Sequence, residues 1–453
     1  MTADVQGLRI LVACEHASAQ FGGEAALPLH YFRVLRARGA DVWLLAHART
    51  RAELERLFPG ETRMRFVEDT PLARAMWRIG QRLPAQIAYF TTGFVSRLAT
   101  QLAQRRIARR LVCEHGIDVV HQPMPVSPRE PSMLFGLGAP VVIGPMNGGM
   151  DYPPAFRRQR GPAERALLAA GRVAASALNA LMPGKRRAHA LLVANARTRG
   201  ALPAGVCANV IELVENGVDL SLWHEGECPL PPAGQGAGEG GGVGHAPAAP
   251  CAFAFVGRLV DWKAVDLLLH AFQRAAQAAP MALEVIGDGP ERPALERLAK
   301  VLGIAAAHDG APGVRFAGWL AQADCARRLR SADALVLPSL LECGGAVVLE
   351  AMAMGKPVVA TAWGGPLDYL DERCGVLVPP ASRDALVQGL ADAMVRLAAS
   401  PGLRREMGRF GRDKVRRDYD WEVKVDRMVD VYRQAAARSA SGAATLPAPA
   451  SRT

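Results

Sequence analysis

Short apolar runs alternate with longer amphipathic stretches along most of the chain. The first run, LRILVAC (8–14), leads into a loop with a glycine pair. Next come ALPLHYFRVLRARG, apolar at helical spacing, and a second run, DVWLLA (41–46). Apolar runs separated by helical patterns read as strands buried on both faces, and strand–helix–strand units of this kind build parallel sheets. IDVVH (117–121), APVVIG (139–144) and HALLVA (189–194) continue the series. After a break it restarts with CAFAFVG (251–257), ALEVIG (282–287), VRFAG (314–318), ADALVLP (332–338), PVVAT (357–361) and GVLVP (375–379). The break, CPLPPAGQGAGEGGGVGHAPAAP (228–250), is too rich in Gly, Pro and Ala to bury a core and reads as a flexible insert. The expected fold class is therefore α/β, with two Rossmann-like doubly wound domains and a ligand site in the cleft they face.

Composition fits this reading. A chain of 453 residues is too long for one ordinary core. The formal charge of +11 points to an anionic partner: a phosphorylated ligand, an acidic lipid surface or nucleic acid. No nucleic-acid module is recognisable, so nucleic acid is not expected. The eight cysteines are scattered without a C-x-x-C pair, which excludes common zinc spacings and suggests reduced thiols in the cytosol. Neither a signal peptide nor an apolar run of about 18 residues is evident, so a soluble or surface-bound protein is expected. The positive charge is concentrated. Between Pro71 and Leu111 stand Arg74, Arg78, Arg82, Arg97, Arg105, Arg106, Arg109 and Arg110 with no Asp or Glu, interleaved with Trp77, Ile79, Leu83, Ile87, Tyr89, Phe90 and Phe94. A second basic zone surrounds residues 165–187. Such segments suit an anionic membrane surface, or else form a solvated arginine face over a core.

Two stretches carry candidate chemistry. In FVGRLVDWKAVDLLLHAF (255–272), Arg258 and Lys263 lie in the turn from a strand into a helix. Two cations beside a helix N-terminus suit a diphosphate, though surface cations near a turn would look the same. In LLECGGAVVLEAMAMGKPVVAT (340–361), Glu342 and Glu350 flank Gly344 and Gly345, and a helical run ends at Gly355. Glu342 sits in the loop after a strand; if the eight residues were helical, the carboxylates would stand about 80° apart, on one broad side. A carboxylate pair at a strand's carboxyl end suits vicinal hydroxyls, whereas a loop Glu and a helix-capping Glu are the plainer alternative. The glycines of GDGPE (287–291) do not make a dinucleotide fingerprint, which argues against a dehydrogenase. Asp418-Tyr419-Asp420 matches a metal-binding D-x-D but lies in a charged, helical-looking stretch, and reads as a solvated face or cap. His121 ends a strand, and Asn147 follows another. Asn147 reads equally as a ligand contact or a turn residue.

Taken together and in order, these stretches resemble the retaining glycosyltransferases of family 4, which have the GT-B fold. The strongest motif is Glu-x7-Glu, here Glu342 and Glu350. VGRLVDWKAVDLLLHAF, LEVIGDGPERPALERLAKVLG, VRFAGWL, ENGVDLSLW (215–223), FGGEAALPLHYFRVLRARGADV and VVHQPMPVSP extend the resemblance over nearly the whole chain. It implies an acceptor-side domain over 1–214, an interdomain segment with the insert over 215–250 and a nucleotide-sugar-binding domain over 251–419. A terminal helix over 420–437 would cross back to the first domain; beyond it, the composition of 438–453 reads as a disordered tail.

The resemblance assigns the diphosphate to Arg258 and Lys263, the ribose to Glu350, and the sugar hydroxyls to Glu342 beside the backbone of Gly344, Gly345 and Ala346. Gly318 to Leu320 would meet the base through backbone. Gly22 and Gly23 would lie near phosphate and acceptor, and His121 would face the donor sugar. Many family members carry Phe at the position of Gly344, so the sugar pocket here is expected to be roomier and donor identity does not carry over. The implied activity is a metal-independent, cofactor-free, retaining transfer of hexosyltransferase type in glycan or polysaccharide biosynthesis. It would use a nucleotide sugar and a saccharide or lipid-linked saccharide acceptor, in the cytoplasm or on the inner face of the cell membrane. A catalytically inactive nucleotide-sugar-binding or scaffold protein and a nucleotide-sugar epimerase or phosphorylase remain as alternatives.

Overall fold

The computed structural model describes residues 3–83, 88–159, 161–226, 250–306 and 311–443. Ile87, Cys228, the expected insert apart from Pro250, and the tail beyond residue 443 lie outside the described residues. The chain divides into two compact units: Met1–Gly149 with Gly161–Asn216 and Trp421–Thr453, and Met150–Arg160 with Gly217–Asp420.

The first unit holds β1 (Arg9–Ala13), β2 (Asp41–His47), β3 (Met64–Val67), β4 (Val119–Gln122), β5 (Val141–Met146), β6 (Ala190–Val193) and β7 (Val210–Glu212). They form a seven-stranded sheet in the order β3-β2-β1-β4-β5-β6-β7, and every pairing is parallel. Successive side chains point to opposite faces, so each strand feeds two cores. Ile10, Val12, Leu44 and Val119 pack with Phe32 and Leu35 of the helix Gly23–Ala37 and with Met428 and Tyr432 of the helix Trp421–Ala443. On the other face Leu11, Leu45, Val120 and Ile143 pack with Leu111 and Val112 of the helix Phe94–His115.

The second unit holds β8 (Cys251–Val256), β9 (Met281–Ile286), β10 (Gly313–Gly318), β11 (Ala334–Leu337), β12 (Val358–Thr361) and β13 (Gly375–Val378). These form a six-stranded parallel sheet in the order β10-β9-β8-β11-β12-β13. Both sheets reverse strand order beside their first strand, the kind of position at which open α/β sheets bind ligands.

Three features differ from the sequence reading. The strands β3 and β7 were not anticipated: they are short edge strands without a fully buried apolar run. The D-x-D lies at a helix end, the cap alternative of the sequence reading, but breaks the stretch into two helices. The helix Pro401–Asp418 ends at Tyr419, the next begins at Trp421, and Asp420 forms an isolated bridge with Val218. The last helix continues to Ala443, past the residue 437 at which it was expected to stop.

Candidate functional site

In the second unit the candidate residues gather at the carboxyl ends of two neighbouring strands, β8 and β11, which pair in parallel. After β8 the chain makes a single turn of 3-10 helix, Asp261–Lys263, and enters the helix Val265–Ala275 through Ala264 at φ 51°. Among the described residues Ala264 alone holds a positive φ without being glycine, a conformation costing on the order of 1 kcal/mol. Bonds from the Lys263 amide to Val260 O (3.0 Å) and the Ala264 amide to Asp261 O (2.9 Å) hold the turn. The loop after β11 is tied to it where the Leu340 amide donates to Trp262 O (2.8 Å).

These constraints bring Lys263 Nζ into an ion pair with the Glu342 carboxylate, both side chains largely buried. Arg258 is exposed and has no carboxylate partner among the described residues. Gly345, at φ 83°, precedes the helix Ala346–Ala353; a Cβ there would lie 3.1 Å from Glu342 Cγ. First-turn amides have no partner within a helix, and those of Gly344, Gly345 and Ala346 donate to no acceptor among the described residues. Glu350 lies on the same helix with a half-buried side chain. Desolvation pushes its carboxyl up to about 8, and no described side chain or amide hydrogen-bonds to it. The site thus offers two cations and a helix N-terminus to an anion, and two carboxylates to hydroxyls.

Close backbone approaches at several glycines, two of them (Gly364 and Gly365) unremarked in the sequence, make this geometry possible. The Gly365 amide donates to Glu342 O (2.7 Å), and Cβ atoms at Gly364 and Gly365 would fall 2.4 Å from Glu342 O and 2.1 Å from Gly344 O. In GDGPE, Cβ atoms at Gly287 and Gly289 would fall 1.9 Å from Gly257 O and 2.2 Å from Leu259 O. These glycines let the loops after β9 and β8 touch, a structural use of the Gly-x-Gly. Gly318 is buried at φ 76° and its carbonyl accepts from the Gly287 amide (2.8 Å), while Leu320 is half-buried. The Gly318 carbonyl therefore already serves the loop packing.

In the first unit, Gly22 and Gly23 are exposed at the start of the helix Gly23–Ala37, with open space where a Cβ would stand. His121 departs from its expected role. It has no exposed surface. Its Nε2 lies 2.6 Å from Gly144 O and its Nδ1 2.7 Å from the Tyr432 hydroxyl. A carbonyl only accepts, so Nε2 carries the proton and Tyr432 donates to Nδ1. Burial lowers the imidazole to about 4. His121 is a neutral strut under the sheet and is not presented to a sugar. Asn147 is a strut too: its side-chain amide donates to Glu215 Oε1 (2.6 Å) and its carbonyl oxygen accepts from Thr198 Oγ1 (3.3 Å).

Near the ends of β1, β4 and β5 lies a cavity of about 320 Å³, lined among others by Glu15, Glu24, Arg97, Glu130 and Asn147. Arg97 Nε donates to Glu130 Oε1 (2.6 Å). Desolvation raises both the Glu15 and Glu24 carboxyls. Lys185, which is buried, donates to Pro128 O (2.7 Å) and steadies the cavity wall. None of these carboxylates was singled out from sequence, since scattered glutamates without a motif give no signal. Arg97 leaves the expected lipid-facing set, as does Arg105, whose Nε donates to Phe135 O (2.9 Å) and whose guanidinium covers the Phe135 ring at 3.8 Å.

Comparison with known proteins bears on this arrangement. Residues 250–400, which contain Arg258, Lys263, Glu342 and Glu350, match the family described as glycosyl transferases group 1. A D-inositol 3-phosphate glycosyltransferase of Saccharomonospora viridis is 31% identical over 234 residues, 51% of each chain. One of Kribbella flavida is 33% identical over 247 residues, 52% of each. The chain thus spans about half the length of the curated relatives it matches. Among solved structures, sucrose-phosphate synthase of Thermosynechococcus elongatus superposes with a TM-score of 0.62 at 20% identity, covering 95% of this chain and 100% of that one. HepE of Anabaena, in complex with UDP, superposes with a TM-score of 0.61 at 16% identity, covering 94% and 100%. The chain has the GT-B fold. Within this GT-B chain, the family match falls on the second unit.

Proposed function

We propose that the protein is a retaining GT-B glycosyltransferase that moves a sugar from a nucleotide donor to a hydroxylated acceptor. The observation that carries this reading is the junction of β8 and β11. There the turn that carries Arg258 and Lys263 is hydrogen-bonded to the loop that carries Glu342, Lys263 pairs with Glu342, and the helix with free first-turn amides and Glu350 follows. Cleavage of a sugar–phosphate bond builds charge on the leaving diphosphate, and preorganised cations and amides stabilise it without reorganising. Glu350 would accept from the ribose hydroxyls and Glu342 from the sugar. With His121 buried and no carboxylate assigned as nucleophile, transfer would proceed on one face, the leaving phosphate taking the acceptor's proton. Arg258 and Lys263 supply the neutralising charge, and Asp418 is paired with Arg417 (2.7 Å), so no metal is assigned a role.

UDP is the first donor nucleotide to test, because HepE is described in complex with UDP and with UDP-glucose. The cavity near Glu15, Glu24 and Glu130 is rich in hydrogen-bond acceptors and suits acceptor hydroxyls. A lipid-linked acceptor on an anionic membrane is favoured by the helix Pro71–Gly80. It exposes Leu72 (49%), Trp77 (62%) and Ile79 (47%) beside Arg74 and Arg78. No described helix is long and apolar enough to cross a membrane.

The test is incubation with radiolabelled nucleotide sugars, with and without acceptor lipid, after a thermal-shift screen of UDP, GDP and ADP. Label transferred with retained configuration supports the proposal. An epimerised donor indicates an epimerase, and stabilisation by nucleotide without turnover indicates an inactive binding module.

A further inference from the structure

The ion pair between Lys263 and Glu342 has a consequence for donor binding. Glu342 is fixed at its backbone: its carbonyl accepts from the Gly365 amide, and Gly364 and Gly365 press on the Glu342 and Gly344 carbonyls. Its side chain is held by the ion pair, and the missing Cβ of Gly345, which would lie 3.1 Å from Glu342 Cγ, spares it a steric clamp from that side. Lys263 sits on a turn held by its own hydrogen bonds and anchored to the β11 loop. Where an incoming diphosphate would find a cation, the ligand-free protein already has a carboxylate. The other cation of the pair, Arg258, has none.

We propose that Glu342 is an internal anion that occupies Lys263 in the free protein and is displaced by the donor diphosphate. Diphosphate binding and release of the Glu342 carboxylate toward the sugar are then one event. This deepens the glycosyltransferase reading and rests on it. Keeping the pair closed without nucleotide has a physical reason. A lone lysine in a largely buried position loses hydration, and a carboxylate neighbour offsets that loss. The diphosphate offers more negative charge and more acceptor oxygens, so the exchange runs toward ligand. Bare sugar, with no anionic group, cannot open the pair.

The test is calorimetric titration of UDP and of inorganic pyrophosphate, which presents the diphosphate without a base. It uses the wild type, Glu342→Gln, Glu342→Asp, Lys263→Ala and the Lys263→Ala/Glu342→Gln double variant. Thermal denaturation confirms that each is folded. Glu342→Gln is expected to bind pyrophosphate about tenfold more tightly than wild type, the scale of a partly buried ion pair, while losing turnover. Glu342→Asp keeps the charge but shortens the reach, so it also gains affinity. In the Lys263→Ala background the Glu342→Gln gain disappears. Equal gains in both backgrounds, or no gain in Glu342→Asp, mean simple repulsion of the ligand and overturn the displacement. Unchanged or weaker binding by Glu342→Gln also overturns it and leaves the glycosyltransferase reading standing. A wild type that binds neither UDP, GDP, ADP nor pyrophosphate overturns both.

Discussion

Burial lifts the Glu350 carboxyl to about 8, so near neutral pH it is mostly protonated in the free protein. Ribose hydroxyls bond more strongly to a carboxylate than to a carboxylic acid. Nucleotide binding should therefore draw the proton off, and affinity should rise as pH climbs from 6 to 9. Glu350→Gln, which cannot titrate, should bind more weakly and lack this part of the pH dependence. The comparison by calorimetry in buffers of different ionisation enthalpy also reads the released proton. The same shift acts on folding with the opposite trend. Between the unfolded value near 4.5 and about 8 the folded state holds a proton that the unfolded state has lost, so this group's contribution to stability falls as pH rises. At the other end of the site, Lys263→Ala and Arg258→Ala should each lower turnover by about 100-fold or more, since each removes a charge contact to the leaving diphosphate. Full activity in either variant contradicts the proposed site. Arg258, Lys263, Glu342 and Glu350 stood out in sequence because glycines and apolar strand runs flank them, while their roles came from the family resemblance and are what these variants test. His121 was misread for a physical reason. Alternation along a strand fixes that a side chain faces one side or the other. It does not say which side is covered by a helix some 300 residues later.

At the scale of elements, the apolar runs became strands nearly where the pattern put them, because a buried parallel strand must be apolar on both faces. The edge strands β3 and β7 lack that constraint and left little trace. What the pattern could not supply was how loops are clamped. Nothing in the pattern singles out Gly364 and Gly365, yet their lack of side chains lets the Glu342 loop approach. Gly365→Ala should displace that loop, since backbone rather than a flexible side chain lies 2.1 Å from the added Cβ. The expected result is a large loss of turnover with a folded protein, measured by kinetics alongside thermal denaturation. Tyr432→Phe probes the last helix in the opposite sense. It leaves His121 Nδ1 buried without its donor and should cost about 1–3 kcal/mol of stability. Turnover at a temperature well below the melting point should stay near wild type. A collapse of turnover without loss of stability would return His121 to the reaction.

For the whole molecule, the sequence showed the amount of positive charge but not its partition between structure and surface. Arg97 and Arg105 are tied to Glu130 and Phe135. Arg74, Arg78, Arg82, Arg106, Arg109 and Arg110 are exposed. Nor could the sequence show that residues 150–160 pack with the second unit, since the Trp363 indole donates to Asp151 O (2.8 Å) across more than 200 positions. The partition sharpens the membrane expectation. Each exposed arginine at an anionic lipid surface contributes about 1 kcal/mol at low salt and less when screened. The exposed apolar side chains of the helix Pro71–Gly80 add area that salt does not screen. Replacing Arg74, Arg78, Arg106 and Arg109 by Gln should therefore weaken co-sedimentation with anionic vesicles and flatten its salt dependence. Trp77→Ala should weaken binding at every salt concentration. Neither change touches the residues assigned to the donor, so hydrolysis of nucleotide sugar in the absence of acceptor should persist. If wild type and both variants sediment alike on anionic and neutral vesicles, the arginines are only solvated surface. Trp77 and its neighbours would then need another partner, and the acceptor would be sought among soluble saccharides.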